Sequence, residues 1–431
     1  MDIAEAEAWL AGLINVERLP DLRRARLSLA PVRALVAALG DPQRGLRVLH
    51  VAGSKGKGST AMLAEALLRE AGLRTGVFTS PHLLRWTERF RIDGAEVDGA
   101  LLADALTRLR PHVERLREGE DAPSFFDATT AAGLLLFAEA EVDVAVLEVG
   151  LGGRLDSTNV VDPAVTCITS IELEHAEKLG STLAAIAGEK AGIAKPGAPL
   201  VTGPLPPEAM EVAASRAAAV GAPLVRAGAD FRAEVLEEEP DATRFAFRDG
   251  PVGFEARLAW PGAHQVDNAG VALAAVRRLG VVDDDALPAV ARAALARVQL
   301  AARAEILGRR PWLVVDGAHT AASVATLARV LARLPRRRAH LVLSVSAGKD
   351  LGALCRALVP QVQAVTVTRA EPVRSLQPTE VADAVRALGA DVELRVVPNP
   401  HLAVRAAREA LGPDDLLCAT GSVYLAGRSG G

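Results

Sequence analysis

The sequence concentrates its chemistry in one short block, Val51-Ala-Gly-Ser-Lys-Gly-Lys-Gly-Ser-Thr60. An apolar run leads into Gly53, Gly56 and Gly58, and a helical pattern follows from Ser59. Glycines let a backbone wrap closely around phosphate oxygens, and the N–H groups of a helix start then point at the anion. Lys57 offers a point charge for β- and γ-phosphates, and the Ser59 hydroxyl offers a ligand for Mg2+. Ser54 and Lys55 complete the loop. The spacing departs from G-x-x-x-x-G-K-[ST], because Gly58 stands between Lys57 and Ser59. A plain glycine-rich turn is the competing reading; the strand before and the helix after favour a nucleotide site.

Two further positions belong with it. Glu148 ends the apolar run DVAVLEVG, and a carboxylate at a strand's C-terminal end faces the ligand crevice of an open α/β sheet. His175 follows the strand-like CITSI. Oxygen ligands supplemented by waters suit Mg2+. From residues alone, His175 reads equally as an ordinary loop histidine, and Glu148 as a partner for Arg154. Lysine usage adds weight: the chain has 43 arginines and only six lysines, at 55, 57, 178, 190, 195 and 349. These sit in Gly-rich loops or beside candidate ligands, where a compact, modifiable amine does what arginine cannot. Mutational bias is the alternative explanation.

The elements that position these residues follow from the hydrophobic pattern. From Arg47 to about Pro223, short runs such as RVLHVAG, DVAVLEVG, VTCITSI and APLVTG alternate with helical segments such as STAMLAEALLREAG and DATTAAGLLLFAEA. That alternation predicts a P-loop-type, mostly parallel sheet with helices on both faces. Between Asp230 and Trp260 the pattern shifts to short antiparallel strands, a small second sheet. Two helical stretches follow, and a second α/β alternation starts near Trp312, predicting a smaller Rossmann-like domain. The expected domains are 1–298 and 299–431.

With 431 residues, half of them hydrophobic, the chain can bury a large core. A net charge of −4 gives no global basic field for nucleic acid. Three widely spaced cysteines suggest neither a disulfide framework nor a zinc site. No run approaches the roughly 18 apolar residues of a membrane span, and the acidic N-terminus lacks the pattern of a signal peptide. A cytoplasmic protein without membrane or nucleic-acid partners is expected.

VAGSKGKGST, TSPHLLRWTERFRIDG, LEVGLGGRLDSTN, GEKAGIAKPG and the late GSVYLAG together resemble the dihydrofolate synthase / folylpolyglutamate synthase family of Mur-type amide ligases. The resemblance implies an ATP- and Mg2+-dependent acid–amino-acid ligase that adds L-glutamate to 7,8-dihydropteroate or to the γ-carboxyl of reduced folates, as a monomer. It implies a catalytic set of Lys57, Glu148, His175 and Lys190. Ser59, Ser80 and Glu148 would hold one metal ion, and His175 a second, with Lys190 carbamylated nearby. It assigns Asn268, Arg303 and Asp316 to the nucleotide alongside the loop, and Ser124, Phe125, Phe126, Asp127, Leu155, Asp156 and Ser157 to the pterin-type substrate. For Phe125 and Phe126, core packing is an equally good reading.

The chain departs from the family pattern at several points. Ser54-Lys55 replaces Thr-Asn, Glu174 replaces the Asp before the histidine, and Asp127 replaces Glu. Ala301-Ala302-Arg303 replaces Pro-Gly-Arg, and Thr320-Ala321 replaces Asn-Pro. Alternatives of other kinds are a Mur-type ligase with another carboxylate and amino acid, a P-loop NTPase that moves a partner, and a non-catalytic nucleotide-binding paralogue.

Overall fold

The computed structural model describes residues 1–15, 27–117, 119, 122–174, 176–371 and 374–429. The chain divides into two compact units. The first comprises Met1–Val235, Phe245–Arg257 and His264–Val298; the second comprises Gln299–Gly431 with Leu236–Arg244 and Leu258–Ala263.

Among the described residues, the first unit is built on β1 (Val48–Ala52), β2 (Thr75–Phe78), β3 (Phe90–Ile92), β4 (Ala95–Glu96), β5 (Val144–Glu148), β6 (Val165–Ile168), β7 (Leu200–Thr202) and β8 (Leu224–Arg226). They form one sheet in the order β4-β3-β2-β5-β1-β6-β7-β8. β1 pairs parallel with both β5 and β6, whereas β3 runs antiparallel to β2 and to β4. Every residue of β1, β5 and β6 is buried, as expected for strands covered on both faces, which read as continuous apolar runs. The strand order reverses around β1, so the crevice beyond the ends of β1, β5 and β6 is where such a sheet binds ligands.

The helix after β1 spans Lys57–Glu70, with Gly56 as its N-cap at φ 84°. It begins two residues before the predicted start, because Gly56 can take the left-handed conformation that turns the chain into the helix. The helix Gly99–Leu116 continues through Pro111. The helix Phe125–Glu139 opens on a capping box between Ser124 and Asp127, each side chain satisfying the other's backbone N–H.

β9 (Phe231–Glu238), β10 (Thr243–Asp249) and β11 (Val252–Leu258) make the small sheet, in the order β11-β10-β9. Their short connections require antiparallel pairing. β10 and β11 alternate buried and more exposed residues.

The second unit has β12 (Glu305–Arg309), β13 (Trp312–Val315), β14 (Ala339–Leu343), β15 (Ala364–Val367), β16 (Glu393–Val396) and β17 (Leu416–Thr420), ordered β12-β13-β17-β14-β15-β16. All pairs are parallel except β12 with β13. β12 escaped the sequence reading. It is an edge strand of EILGR, with a glycine and polar ends, and it carries no apolar run of its own.

Candidate active site

The phosphate loop is shaped by what lies against its glycines. Gly53 sits at φ 148° and Gly56 at φ 84°. A Cβ on Gly53 would come within 1.9 Å of Thr169 Oγ1, and one on Gly56 within 2.1 Å of Asn268 Oδ1. The segment following β6 anchors the loop. Ser54 N–H donates to Ser170 O at 2.8 Å. Lys55 N–H donates to Ser170 Oγ at 2.9 Å, and Ser170 Oγ donates back to Lys55 O at 3.1 Å. Thr169 Oγ1 also donates to Lys55 O. Sequence reasoning passed over Thr169 and Ser170; their signal was two hydroxyl residues directly after an apolar strand.

The first bond of the helix ladder runs from Thr60 N–H to Gly56 O at 2.8 Å. The N–H groups of Lys57, Gly58 and Ser59 therefore lie ahead of the ladder, where an anion can use them. Lys57 Nζ donates to Gly53 O at 3.0 Å, and Lys190 Nζ to the same oxygen at 2.9 Å. Two ammonium groups thus converge inside the loop, a field suited to a triphosphate.

Glu148 is 5% exposed, paired in register with Val51 of β1. Its carboxylate accepts the Ser80 N–H at 3.0 Å. It lies so close to the first turn of the Lys57–Glu70 helix that a Cβ on Gly58 would be 3.3 Å from its Oε2. Ser59, Ser80 and Glu148 therefore converge, one from each of three segments. Arg154 is engaged elsewhere, with Glu189 at 2.8 Å, so it is not the partner that would have made Glu148 an ordinary ion pair. Among the described residues no cluster of three or more His, Cys, Asp or Glu side chains is placed for a metal. A carboxylate with two hydroxyls is nonetheless the hard donor set that Mg2+ accepts when phosphates and waters complete it. His175 lies outside the described residues.

Lys190 is 2% exposed, and its Nζ lies 3.0 Å from Glu174 Oε1. Burial, with Lys57 nearby, lowers its pKa to about 8, against the pull of Glu174. Part of the amine is then neutral near physiological pH, the form that can become a carbamate. Burial pushes Glu174 up, but Lys190, Lys57 and Lys55 together outweigh it and hold the carboxyl below its ordinary range. The extra methylene of Glu174 lets one carboxylate meet both Lys190 and, at 3.6 Å, Lys55.

The substrate candidates of this unit fall into two kinds. Phe125 is wholly buried, edge-on to Trp86 at 4.6 Å, with the Arg89 guanidinium over its ring at 4.9 Å. It is core packing here, and Trp86 and Arg89 anchor the segment after Ser80. Phe126 is half-buried and lies against the Gly150 backbone, where a Cβ would meet its ring at 2.5 Å. Asp127 bonds Ser124 Oγ at 2.6 Å and Ser157 Oγ at 2.7 Å, and burial raises its pKa against those bonds. Leu155 is partly buried. Asp156 is buried and raised by desolvation to about 6.

Asn268 presents its amide oxygen to Gly56 while Nδ2 donates to Gln265 Oε1 at 2.9 Å. In the second unit, Asp316 accepts the N–H groups of Ala304 and Ala318, both at 2.6 Å. Burial raises its carboxyl, and the Arg303 guanidinium opposes this. Ala302 and Ala304 adopt φ 58° and 49°, the left-handed region that favours the glycine usually found at the first of these positions. Thr320 serves as a helix cap, its hydroxyl accepting the Ser323 N–H.

The chain matches the Mur ligase middle domain over residues 51–276 and the Mur ligase glutamate ligase domain over 302–423. It is 36% identical over 417 residues to a probable bifunctional folylpolyglutamate synthase/dihydropteroate synthase of Haloferax volcanii, covering 94% of this chain and 48% of that one. It thus spans about half the length of that relative. It is 32% identical to the dihydrofolate synthase/folylpolyglutamate synthase of Bacillus subtilis, covering 98% of this chain and 96% of the relative. The solved Mycobacterium tuberculosis folylpolyglutamate synthase complexed with ADP and AMPPCP superposes with a TM-score of 0.85 at 32% identity, over 99% of this chain and 97% of that one. With two domain matches, near-complete coverage of a curated relative and a shared fold, this chain belongs to the dihydrofolate synthase/folylpolyglutamate synthase family of Mur ligases.

Proposed function

We propose that the chain is an ATP-dependent acid–amino-acid ligase that adds L-glutamate to 7,8-dihydropteroate, to reduced folates, or to both. The observation that carries this reading is Glu148, seated between the Ser80 N–H and the first turn of the phosphate-loop helix. The relatives' names supply the substrate class. A carboxylate oxygen of the folate-type substrate attacks the γ-phosphorus of ATP, the bond to ADP breaks, and an acyl phosphate forms. The amine of glutamate then attacks the acyl carbon, phosphate leaves, and the nitrogen loses a proton. Such phosphoryl transfer needs positioning and charge neutralisation more than covalent help.

In this reading Gly53, Ser54, Lys55, Gly56, Lys57, Gly58 and Ser59 grip the phosphates, and Lys57 neutralises them. Ser59, Ser80 and Glu148, with His175 and a carbamylated Lys190, would hold magnesium, which when bound screens the phosphate charge. Asn268, Arg303 and Asp316 serve the nucleotide. Ser124, Phe126, Asp127, Leu155, Asp156 and Ser157 shape the acceptor site, with Phe125 supporting them from the core. Residues 1–298 act as the ATP-binding domain and 299–431 as the glutamate-ligase domain of a cytoplasmic monomer. Among the described residues no helix is long and apolar enough to cross a membrane.

The test is phosphate release with product mass spectrometry. Release is expected only when ATP, Mg2+, the pteroate or folate and L-glutamate are all present, with a product heavier by one glutamyl residue. Rapid ATP hydrolysis without either organic substrate overturns the reading. Ligation of a different acid and amino acid points to another Mur-type activity.

A further inference from the structure

Three buried side chains form a line from the middle of the sheet to the turn after Gly150. His50 is the central residue of β1, three positions before Gly53, with no exposed surface. Its Nε2 lies 2.8 Å from Thr158 Oγ1, and its Nδ1 has no hydrogen-bond partner among the described residues. Thr158 Oγ1 donates to Asp156 Oδ1. The same oxygen accepts the Thr158 N–H at 3.0 Å, and Oδ2 accepts the Leu151 N–H at 2.8 Å.

The proton positions follow by elimination. Asp156, raised by burial to about 6, is ionised at neutral pH and can only accept. Thr158 has one hydroxyl proton and gives it to that carboxylate. The bond between Thr158 and His50 then needs its proton from the ring, so Nε2 carries hydrogen and Nδ1 is the bare acceptor. Desolvation, with Lys195 adding to it, lowers the ring's pKa to about 3, so it stays neutral. The intervening residue is held from the other side, as Ser157 Oγ donates to Asp127 at the start of the Phe125–Glu139 helix.

We propose that His50 is a positioning residue: fixed as the Nε2–H tautomer by the Thr158–Asp156 pair, it ties the strand that enters the phosphate loop to the turn Leu155–Ser157. The distance between the phosphate grip and the acceptor-binding turn is then set by one buried relay rather than by the flexible loop between them. The substrate part of this inference rests on the ligase reading above; the tautomer does not.

Two measurements test it on the full chain. The first is nitrogen NMR of 15N-histidine-labelled protein, with the His50 signals assigned by their loss in His50→Gln. The expected pattern is a protonated Nε2, an unprotonated Nδ1, and no titration between about pH 5 and 8, where an ordinary histidine changes charge. An Nδ1–H ring, or a ring that titrates in that window, overturns the proposal whether or not the protein ligates anything. The second is kinetic. Thr158→Val removes the relay hydroxyl and is expected to raise KM for the folate-type substrate by about tenfold, the scale of one lost buried hydrogen bond. KM for ATP should stay unchanged, and Thr158→Ser should restore KM for the acceptor. Equal behaviour of the Val and Ser variants, or equal change in both KM values, removes the positioning role. Absence of ligation by the unsubstituted chain counts against the ligase reading and leaves the NMR result to decide the tautomer.

Discussion

Gly56→Ala is the sharpest perturbation of the phosphate loop that the geometry allows. The residue sits at φ 84°, where an L side chain costs about 1–2 kcal/mol. Its new Cβ would lie 2.1 Å from Asn268 Oδ1, so Asn268 has to move. Moving it breaks the buried bond from Nδ2 to Gln265, 2.9 Å long, a loss of about 1 kcal/mol. The sum is roughly 2–3 kcal/mol against the loop conformation that grips phosphate, which weakens ATP by about 30- to 100-fold if binding requires that conformation. Gly72→Ala is the control: φ is 85°, and nothing lies within 4 Å of the added methyl, so it carries the backbone strain without the clash and is remote from the nucleotide. Calorimetric ATP titration of both variants, with circular dichroism to confirm folding, separates the two contributions. Equal ATP affinity in Gly56→Ala, Gly72→Ala and the unsubstituted chain would refute the reasoning.

Three further outcomes are expected. Glu148→Gln keeps the side-chain shape but removes its charge, and should lower Mg2+-supported turnover by about 100-fold or more, as losing a key electrostatic group does; a phosphate-release titration with Mg2+ that matches the unsubstituted chain would dismiss a metal role for Glu148. Ala302→Gly relieves a left-handed alanine and should stabilise the second unit by about 1 kcal/mol, read as a raised unfolding midpoint; a lowered midpoint speaks against strain there. His50 has its folded pKa lowered to about 3 from 6.5, so between those values the unfolded chain binds the extra proton and stability falls as pH falls. Relative to His50→Gln, the unsubstituted chain should lose about 1.4 kcal/mol per pH unit on that limb, and parallel denaturation curves across it would contradict a buried neutral imidazole.

Much of the site was legible because its signals are local. Glycine, lysine and serine in Gly53–Ser59 have to follow a strand and open a helix to be useful, and β1 and the helix from Lys57 supply that frame. Glu148 was legible because a carboxylate closing an all-apolar run has few structural uses. Other readings failed for want of distance information. Arg154 pairs with Glu189 rather than Glu148, a choice between two carboxylates that only the packing of the turn beyond Gly150 settles. Phe125 and Phe126 are adjacent and chemically identical, yet one is core and the other lies against the Gly150 backbone, because successive residues at a helix start point in different directions.

The sequence by itself determined the order of strands and helices, the phosphate loop and the family, since periodicity and a contiguous motif are written along one dimension. Tertiary structure alone decided which strand ends meet. It brought Thr169, Ser170 and Asn268 against glycines more than a hundred positions away, gave Lys190 and Lys57 a shared carbonyl, and placed His50 beneath Thr158. The reason is physical: hydrogen bonding, desolvation and steric exclusion depend on separation in space, and a chain that crosses its own sheet brings together residues that no spacing in the sequence connects.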